Sequence, residues 1–366
     1  MADDQKMDLM KMLALRAMME KEKERAAEPE DDGNDDAPSG KTHKKSGVEL
    51  ISLEEASLRL ATSNSGRMQR EIIASVIDPE KGVRAPADKF FNFSNAVDDI
   101  SAALAFEVCR YALTIYPNNV DLLANAINFA TDSGRFSEAE PYIERLFRIP
   151  RKYWNWRDYL FLTKYYENRA YSCGIEEMDG CLDKAFEVAD AYIAALPLDE
   201  RAYNKKAELH LMRGEVAEAR DCLEKAIFGS VEVDGVRAKL VAQQCCGTYL
   251  GKILSETGEY KEIIRVALEA IKNTAQDQPS FKVGYAAFML ALAKDALIVE
   301  DEYSNRDKIL EALADYQCAY DLNAGRPYAK TIEERYAILC QKAKPAVTDR
   351  PLLKRALYRE VGKTEE

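Results

Sequence analysis

A short apolar pattern returns along the chain at intervals that only a repeat architecture accounts for. Ala105-Phe-Glu-Val108 recurs as Ala185-Phe-Glu-Val188. Each opens a register of three positions: Ala105, Cys109 and Ala112 in one copy, Ala185, Ala189 and Tyr192 in the other. Four further copies keep it: Ala139, Ile143, Leu146; Ala219, Leu223, Ala226; Ile263, Ala267, Ala270; and Ala312, Tyr316, Ala319. Residues spaced by four and then three lie on one helical face, so each copy predicts an amphipathic helix with this stripe inward. Ala105 to Ala139 is 34 residues, and so is Ala185 to Ala219. Longer intervals after Ala139, Ala219 and Ile263 imply insertions of 12, 10 and 15 residues. Pro117 and Pro197 stop two of these helices, because proline cannot continue the hydrogen-bond ladder.

A matching turn precedes three of the copies: Gly134-x-Phe136-x2-Ala139, Gly214-x-Val216-x2-Ala219 and Gly258-x-Tyr260-x2-Ile263. Glycine takes the positive φ that ends one helix before the next begins. Upstream of each glycine lies another apolar face: Leu123, Ile127, Ala130; Tyr203, Ala207, His210; and Leu250-Gly251 with Leu254. Helix, glycine turn and helix at a 34-residue period resemble the tetratricopeptide repeat (TPR) family. Tyr203 to Ala226 is the best single match, and the resemblance covers roughly residues 86–323. It implies an all-α, right-handed superhelical solenoid of helix–turn–helix units. The chain departs from the family in replacing most of the Trp, Leu and Gly expected in the first helix.

Outside the repeats the organisation reads as follows. Residues 1–27 form an N-terminal amphipathic helix with Met7, Met10, Leu13 and Met18 on one face. Residues 28–47 are an acidic linker whose composition cannot bury apolar surface. Residues 48–85 are a helical N-terminal cap region in which Ser52-Leu-Glu-Glu55 has capping-box spacing. The solenoid occupies 86–326, helical almost throughout, and 327–366 supply C-terminal capping helices and a tail. Two readings of the Met-rich helix stay open, docking on the solenoid and binding a partner. For the terminal helix of 350–361, the alternatives are a cap and a dimer seed.

Charge narrows the function classes. With 51 Lys+Arg against 63 Asp+Glu the net charge is −12, which disfavours nucleic acid and anionic lipid as partners. No run approaches the roughly 20 apolar residues needed to span a bilayer, and the acidic N-terminus is unlike a secretory signal. Eight cysteines without a CxxC pair fit a reducing compartment, and the cytoplasm is the expectation.

Catalytic chemistry finds little to work with. His43 and His210 are the two histidines, far apart and without a metal-ligand cluster. Cys222 and His210 sit inside one ordinary repeat, where packing explains both. Gly40-Lys41-Thr42 echoes a phosphate-binding loop, but Asp35 stands where that loop needs glycine. No enzyme, metal or cofactor is therefore expected. Leu53 to Ile73 looks partly like a DNA-binding helix-turn-helix with Arg67 and Arg70 toward the groove; its apolar spacing is off by one, and a capping helix pair explains the same residues.

The TPR resemblance implies a concave groove lined by first helices, which makes a protein or peptide segment the expected partner. Carried over by register, its lining is Asn128 in one unit, then Arg201, Asn204 and Glu208, then Thr248 and Lys252. Arg201 and Lys205 resemble part of the clamp that some members close on a peptide's terminal carboxylate, although Ala124 stands where a lysine would complete it. Trp154, Trp156, Tyr159, Tyr165 and Tyr166 form the densest aromatic cluster, read as inter-repeat core with room for a partial hot spot. A non-catalytic adaptor is the leading function. The alternative is a peptide-responsive regulator whose N-terminal helices bind DNA.

Overall fold

The computed structural model describes residues 52–342, apart from 64, 79–81, 234, 273–280, 299–305, 324 and 326–327. The Met-rich stretch, the acidic linker, His43, Gly40-Lys41-Thr42 and the 350–361 helix lie outside the described residues. The chain divides into two compact units, Met1–Tyr192 and Ile193–Glu366.

In the first unit the helices are α1 (Leu53–Thr62), α2 (Gly66–Val76), α3 (Ala87–Asp98), α4 (Ala102–Ile115), α5 (Val120–Asp132), α6 (Phe136–Phe147), α7 (Trp156–Ser172) and α8 (Ile175–Ala195). Polar side chains start several of them by accepting an orphan backbone N–H. Ser52 accepts from the Glu55 amide at 3.2 Å, and Asn119 from the Leu122 amide at 3.0 Å. Asn155 and Asp158 form a full capping box on α7. Alternate helices pack as a row, α1 on α3, α3 on α5 and α5 on α7, while α4 and α6 pack beside them. This is the layout of stacked helical hairpins.

The second unit repeats it with α9 (Glu200–Met212), α10 (Val216–Phe228), α11 (Gln243–Thr248), α12 (Tyr260–Lys272), α13 (Phe281–Ala296), α14 (Arg306–Asn323) and α15 (Tyr328–Lys342). Here α9 packs on α11 and α11 on α13. Past Thr248 the helix widens into a π-helical segment, Tyr249–Ile253, then tightens into a 3-10 turn, Leu254–Glu256.

The repeat register is a burial register. All three positions of all six copies, from Ala105 through Ala319, are at most 5% exposed. Gly134, Gly214 and Gly258 take φ of 70°, 77° and 69°. At the first two the next amide reaches back identically, Arg135 N to Ala130 O at 2.7 Å and Glu215 N to His210 O at 2.9 Å. These bonds satisfy carbonyls left over at the helix end.

The insertions take different forms. Where 12 extra residues were expected, α7 and α8 lengthen to 17 and 21 residues, and a 3-10 turn, Arg151–Tyr153, precedes them. The 10-residue insertion corrects the expectation of near-continuous helix: it is an antiparallel β-hairpin, β1 (Val231–Val233) with β2 (Val236–Ala238). Gly235 at φ 76° lies in its turn. Alternating valines and an Asp-Gly pair favour that turn over a helix.

Candidate functional site

The second unit gathers five of the six nominated residues on α9 and on the helix that follows α10. Asp199 caps α9, accepting from the Arg201 amide at 3.1 Å, and also takes both arms of the Arg201 guanidinium at 2.8 and 2.6 Å. One turn on, the Thr248 hydroxyl donates to Asn204 Oδ1 at 2.6 Å. A further turn on, Glu208 receives Lys252 at 3.0 Å on one oxygen and Lys205 at 2.8 Å on the other. Glu200 completes the set: its Oε2 accepts the amides of Gln244 and Cys245 at 2.7 and 3.3 Å. It thereby caps α11, which lacks a cap of its own.

These contacts form a ladder in register. Glu200 meets 244, Asn204 meets 248 and Glu208 meets 252, each 44 residues on, the same interval as Gly214 to Gly258. Equivalent positions of consecutive first helices therefore face one another. Burial alone would push the Glu208 carboxyl up, and that is the strongest single influence, but Lys205 and Lys252 together hold it below the ordinary carboxylate range. The face is graded in exposure: Asn204 is 8% exposed, the Glu208 and Lys205 side chains 18% and 22%, and Lys252 47%.

Asn128 lies in the first unit. It is 8% exposed and accepts Lys164 at 2.9 Å, while the same lysine pairs with Asp132 at 2.6 Å. Nearby, Asn125 donates to Ser94 at 3.2 Å and Asn95 at 3.0 Å, tying α5 to α3. Burial and the charge of Asp132 push the Asp98 carboxyl up despite Lys164. Asp158 is fully buried and its carboxyl is pushed up to about 7, mainly by burial and further by Asp121; the Asn155 amide at 2.6 Å opposes this. Register reasoning passed over Lys164 because α7 is not followed by a positive-φ glycine turn that would align it with α5 and α9. Glu200 was within reach: adding 44 to its number lands on the α11 terminus.

The aromatic cluster is core for three of its five residues. Trp154, Tyr159 and Tyr165 are 8%, 1% and 2% exposed, with Tyr159 stacked on Tyr192 at 5.2 Å, while Trp156 and Tyr166 are half-buried. His210 sits 2.7 Å from Glu215, beside its own glycine turn. Cys222 donates to the Tyr203 carbonyl. Arg67, 88% exposed, pairs with Glu71 at 3.0 Å on α2. Among the described residues no helix is long and apolar enough to cross a membrane.

The fold is a divergent TPR-like helical repeat with insertions. No family model and no curated protein matches the chain. Solved structures do. A thermophilic TPR protein of Thermus thermophilus, TTC0263, shares 15% identity at a TM-score of 0.37, over 70% of this chain and 100% of that one. Human IFIT1, solved as a dimer with PPP-AAAA, shares 15% at a TM-score of 0.47, over 79% of this chain, which spans 62% of the IFIT1 chain. A tetratricopeptide repeat protein from Parabacteroides merdae shares 17% at a TM-score of 0.25, over 66% of this chain and 97% of that one.

Proposed function

We propose that the chain is a non-catalytic scaffold that works in the cytoplasm and holds a segment of another protein against the α9–α11 face. The ladder supports this reading. A binding surface needs side chains fixed before the partner arrives, because ordering them on contact costs affinity. Glu208, gripped from both sides, fixes Lys205 and Lys252, and Asn204 locks the spacing behind them. Lys252, Lys205 and Arg201 then present cationic groups suited to acidic side chains or a terminal carboxylate. In this reading Asn204, nearly inaccessible, is a positioning residue of that face, and Asn128 positions Lys164 within the first unit.

Affinity capture with the full chain and mass spectrometry tests the proposal, repeated with Lys205→Glu and Lys252→Glu. Loss of the captured partner in both variants, with the helical circular dichroism retained, is the expected outcome. Retention of the same partner by both would remove this face from the binding surface.

A further inference from the structure

One turn of the first unit runs against the charge of the whole molecule. Residues 145–153, Arg-Leu-Phe-Arg-Ile-Pro-Arg-Lys-Tyr, carry four cations and no acid in a chain of net charge −12. The structure explains why this segment holds its shape. Pro150 starts the 3-10 turn. Trp154 then anchors it, 8% exposed, donating its indole N–H to the Ile149 carbonyl at 3.2 Å and packing on Phe147 and Tyr159 at 5.8 and 5.1 Å. Around that anchor Tyr153 is 61% exposed and Phe147 46%. Arg151 lies over the Trp154 ring at 5.9 Å and Lys152 over Tyr153 at 4.9 Å. Arg148, 76% exposed, has Glu144 at 3.6 Å, an exposed pair of little strength. The result is a fixed, solvent-facing surface of cations and aromatic rings, which selects an anionic segment and gains from proline or peptide planes laid on the rings.

The chain itself supplies such a segment. Residues 28–36, Glu-Pro-Glu-Asp-Asp-Gly-Asn-Asp-Asp, hold six acids and a proline and no cation. From Asp36 to Ser52 the chain can reach at most ~55 Å at 3.3–3.6 Å per residue, against a radius of gyration of about 14 Å for a compact body the size of residues 53–192. A tethered ligand works at an effective concentration on the order of millimolar, so even a weak site is largely filled in cis. We propose that residues 28–36 dock on the 145–153 turn, and that an external acidic segment reaches this surface only by displacing them. The α9–α11 reading plays no part in this and stands or falls separately.

Carbodiimide cross-linking of the full chain, mapped by mass spectrometry, tests the docking. Lys152 is expected to form amide bonds to carboxyls of residues 28–36 at low salt. The yield should fall about 10-fold at ~1 M salt, where screening acts within ~3 Å. Arg148→Glu with Arg151→Glu leaves Lys152 as reporter and should reduce the yield about 10-fold too. A synthetic peptide of residues 25–38 should bind the variant neutralised by Asp31→Asn, Asp32→Asn, Asp35→Asn and Asp36→Asn at least ~10-fold more tightly than the unaltered chain, where the cis segment competes. Cross-links that ignore the Arg148/Arg151 reversal, or equal peptide binding to both forms, overturn the proposal. So does a single-stranded oligonucleotide that binds the neutralised variant more tightly than the peptide, which would make the turn a nucleic-acid surface.

Discussion

Helix α5 of the first unit and helix α9 of the second end in the same glycine turn, yet they meet their surroundings in opposite ways. In α5 ten consecutive residues, Leu122 to Thr131, are buried, because α3, α4, α6 and α7 all pack on it. In α9 only Ala202, Asn204, Ala207 and Leu209 are buried, and charged residues lie half-exposed between them. Turn chemistry sets the hairpin, while burial decides whether a polar residue becomes a packing device or a surface group. Asn128 and Glu208 occupy equivalent places, six residues before Gly134 and Gly214, and differ for that reason.

The largest effect should come from opening a cavity in the enclosed helix. Ile127 is fully buried, and Ile127→Ala should cost roughly 2–5 kcal/mol. Both tryptophans, Trp154 and Trp156, belong to the first unit, so urea unfolding followed by their fluorescence reads that unit directly. The α9 equivalent, Ala207, is already small and buried; Ala207→Ile should overpack it, costing about 1–3 kcal/mol. A loss under about 1 kcal/mol for Ile127→Ala would mean that α5 is less enclosed than its burial states.

Acid should separate the units by sign. The Asp158 carboxyl titrates higher folded than unfolded, so the folded first unit binds the proton first. The Asp158 contribution to its stability is therefore fully present below the ordinary carboxylate range and is lost as pH rises from there to about 7. Moving from pH 8 to pH 5 should stabilise the unit by roughly 3 kcal/mol, and Asp158→Asn should remove that slope. Glu208 behaves oppositely: its lowered folded value gives stability that is present above the ordinary carboxylate range and lost as pH falls below it. Tryptophan-detected melting between pH 8 and pH 5 should therefore show the Asp158 slope. A flat profile would place water or a counter-charge at Asp158.

How much of this was legible in the sequence follows from the same contrast. Gly134, Gly214 and the six buried triplets could be read because a helix repeats itself every few residues, whatever surrounds it. Spacing placed a 10-residue insertion after Ala219 but not the hairpin at Val231–Ala238, although Asp234-Gly235 is a turn signal, because a helical register says nothing about the residues between its copies. At the candidate site, register named Asn204, Glu208, Thr248 and Lys252 one by one; that they meet in pairs comes from the structure. Register could not say that Asn204 and Asn128 would be covered, since burial depends on helices distant in sequence. Nor could it foresee that Asp199 would hold Arg201, an ion pair settled by rotamers.

The ladder's middle rung offers a medium-sized test. Thr248→Val removes the hydroxyl that Asn204 Oδ1 accepts at 2.6 Å. It should cost about 1–3 kcal/mol, because the asparagine is 8% exposed and its oxygen would be left unsatisfied. Chemical denaturation of the second unit, followed by hydrogen exchange on α9 and α11, measures it. A loss below about 0.5 kcal/mol would mean that water replaces the threonine, and the rung would then count as surface.

The smallest effect on stability should come from the lowest rung, and that smallness is informative. Lys252 is 47% exposed and its partner Glu208 keeps Lys205 when it is gone. Lys252→Ala should therefore change stability by about 0.5 kcal/mol or less, within the range of exposed ion pairs. The Glu208 carboxyl should rise toward its ordinary range, since one of the two cations holding it down has left; NMR titration of that carboxyl would read the change. If Lys252→Ala lowers stability as much as Thr248→Val does, the rung is structural like those of α5, and α9 loses its distinction. If stability holds while partner capture falls, Lys252 faces the partner and the contrast between the two helices is one of role as well as burial.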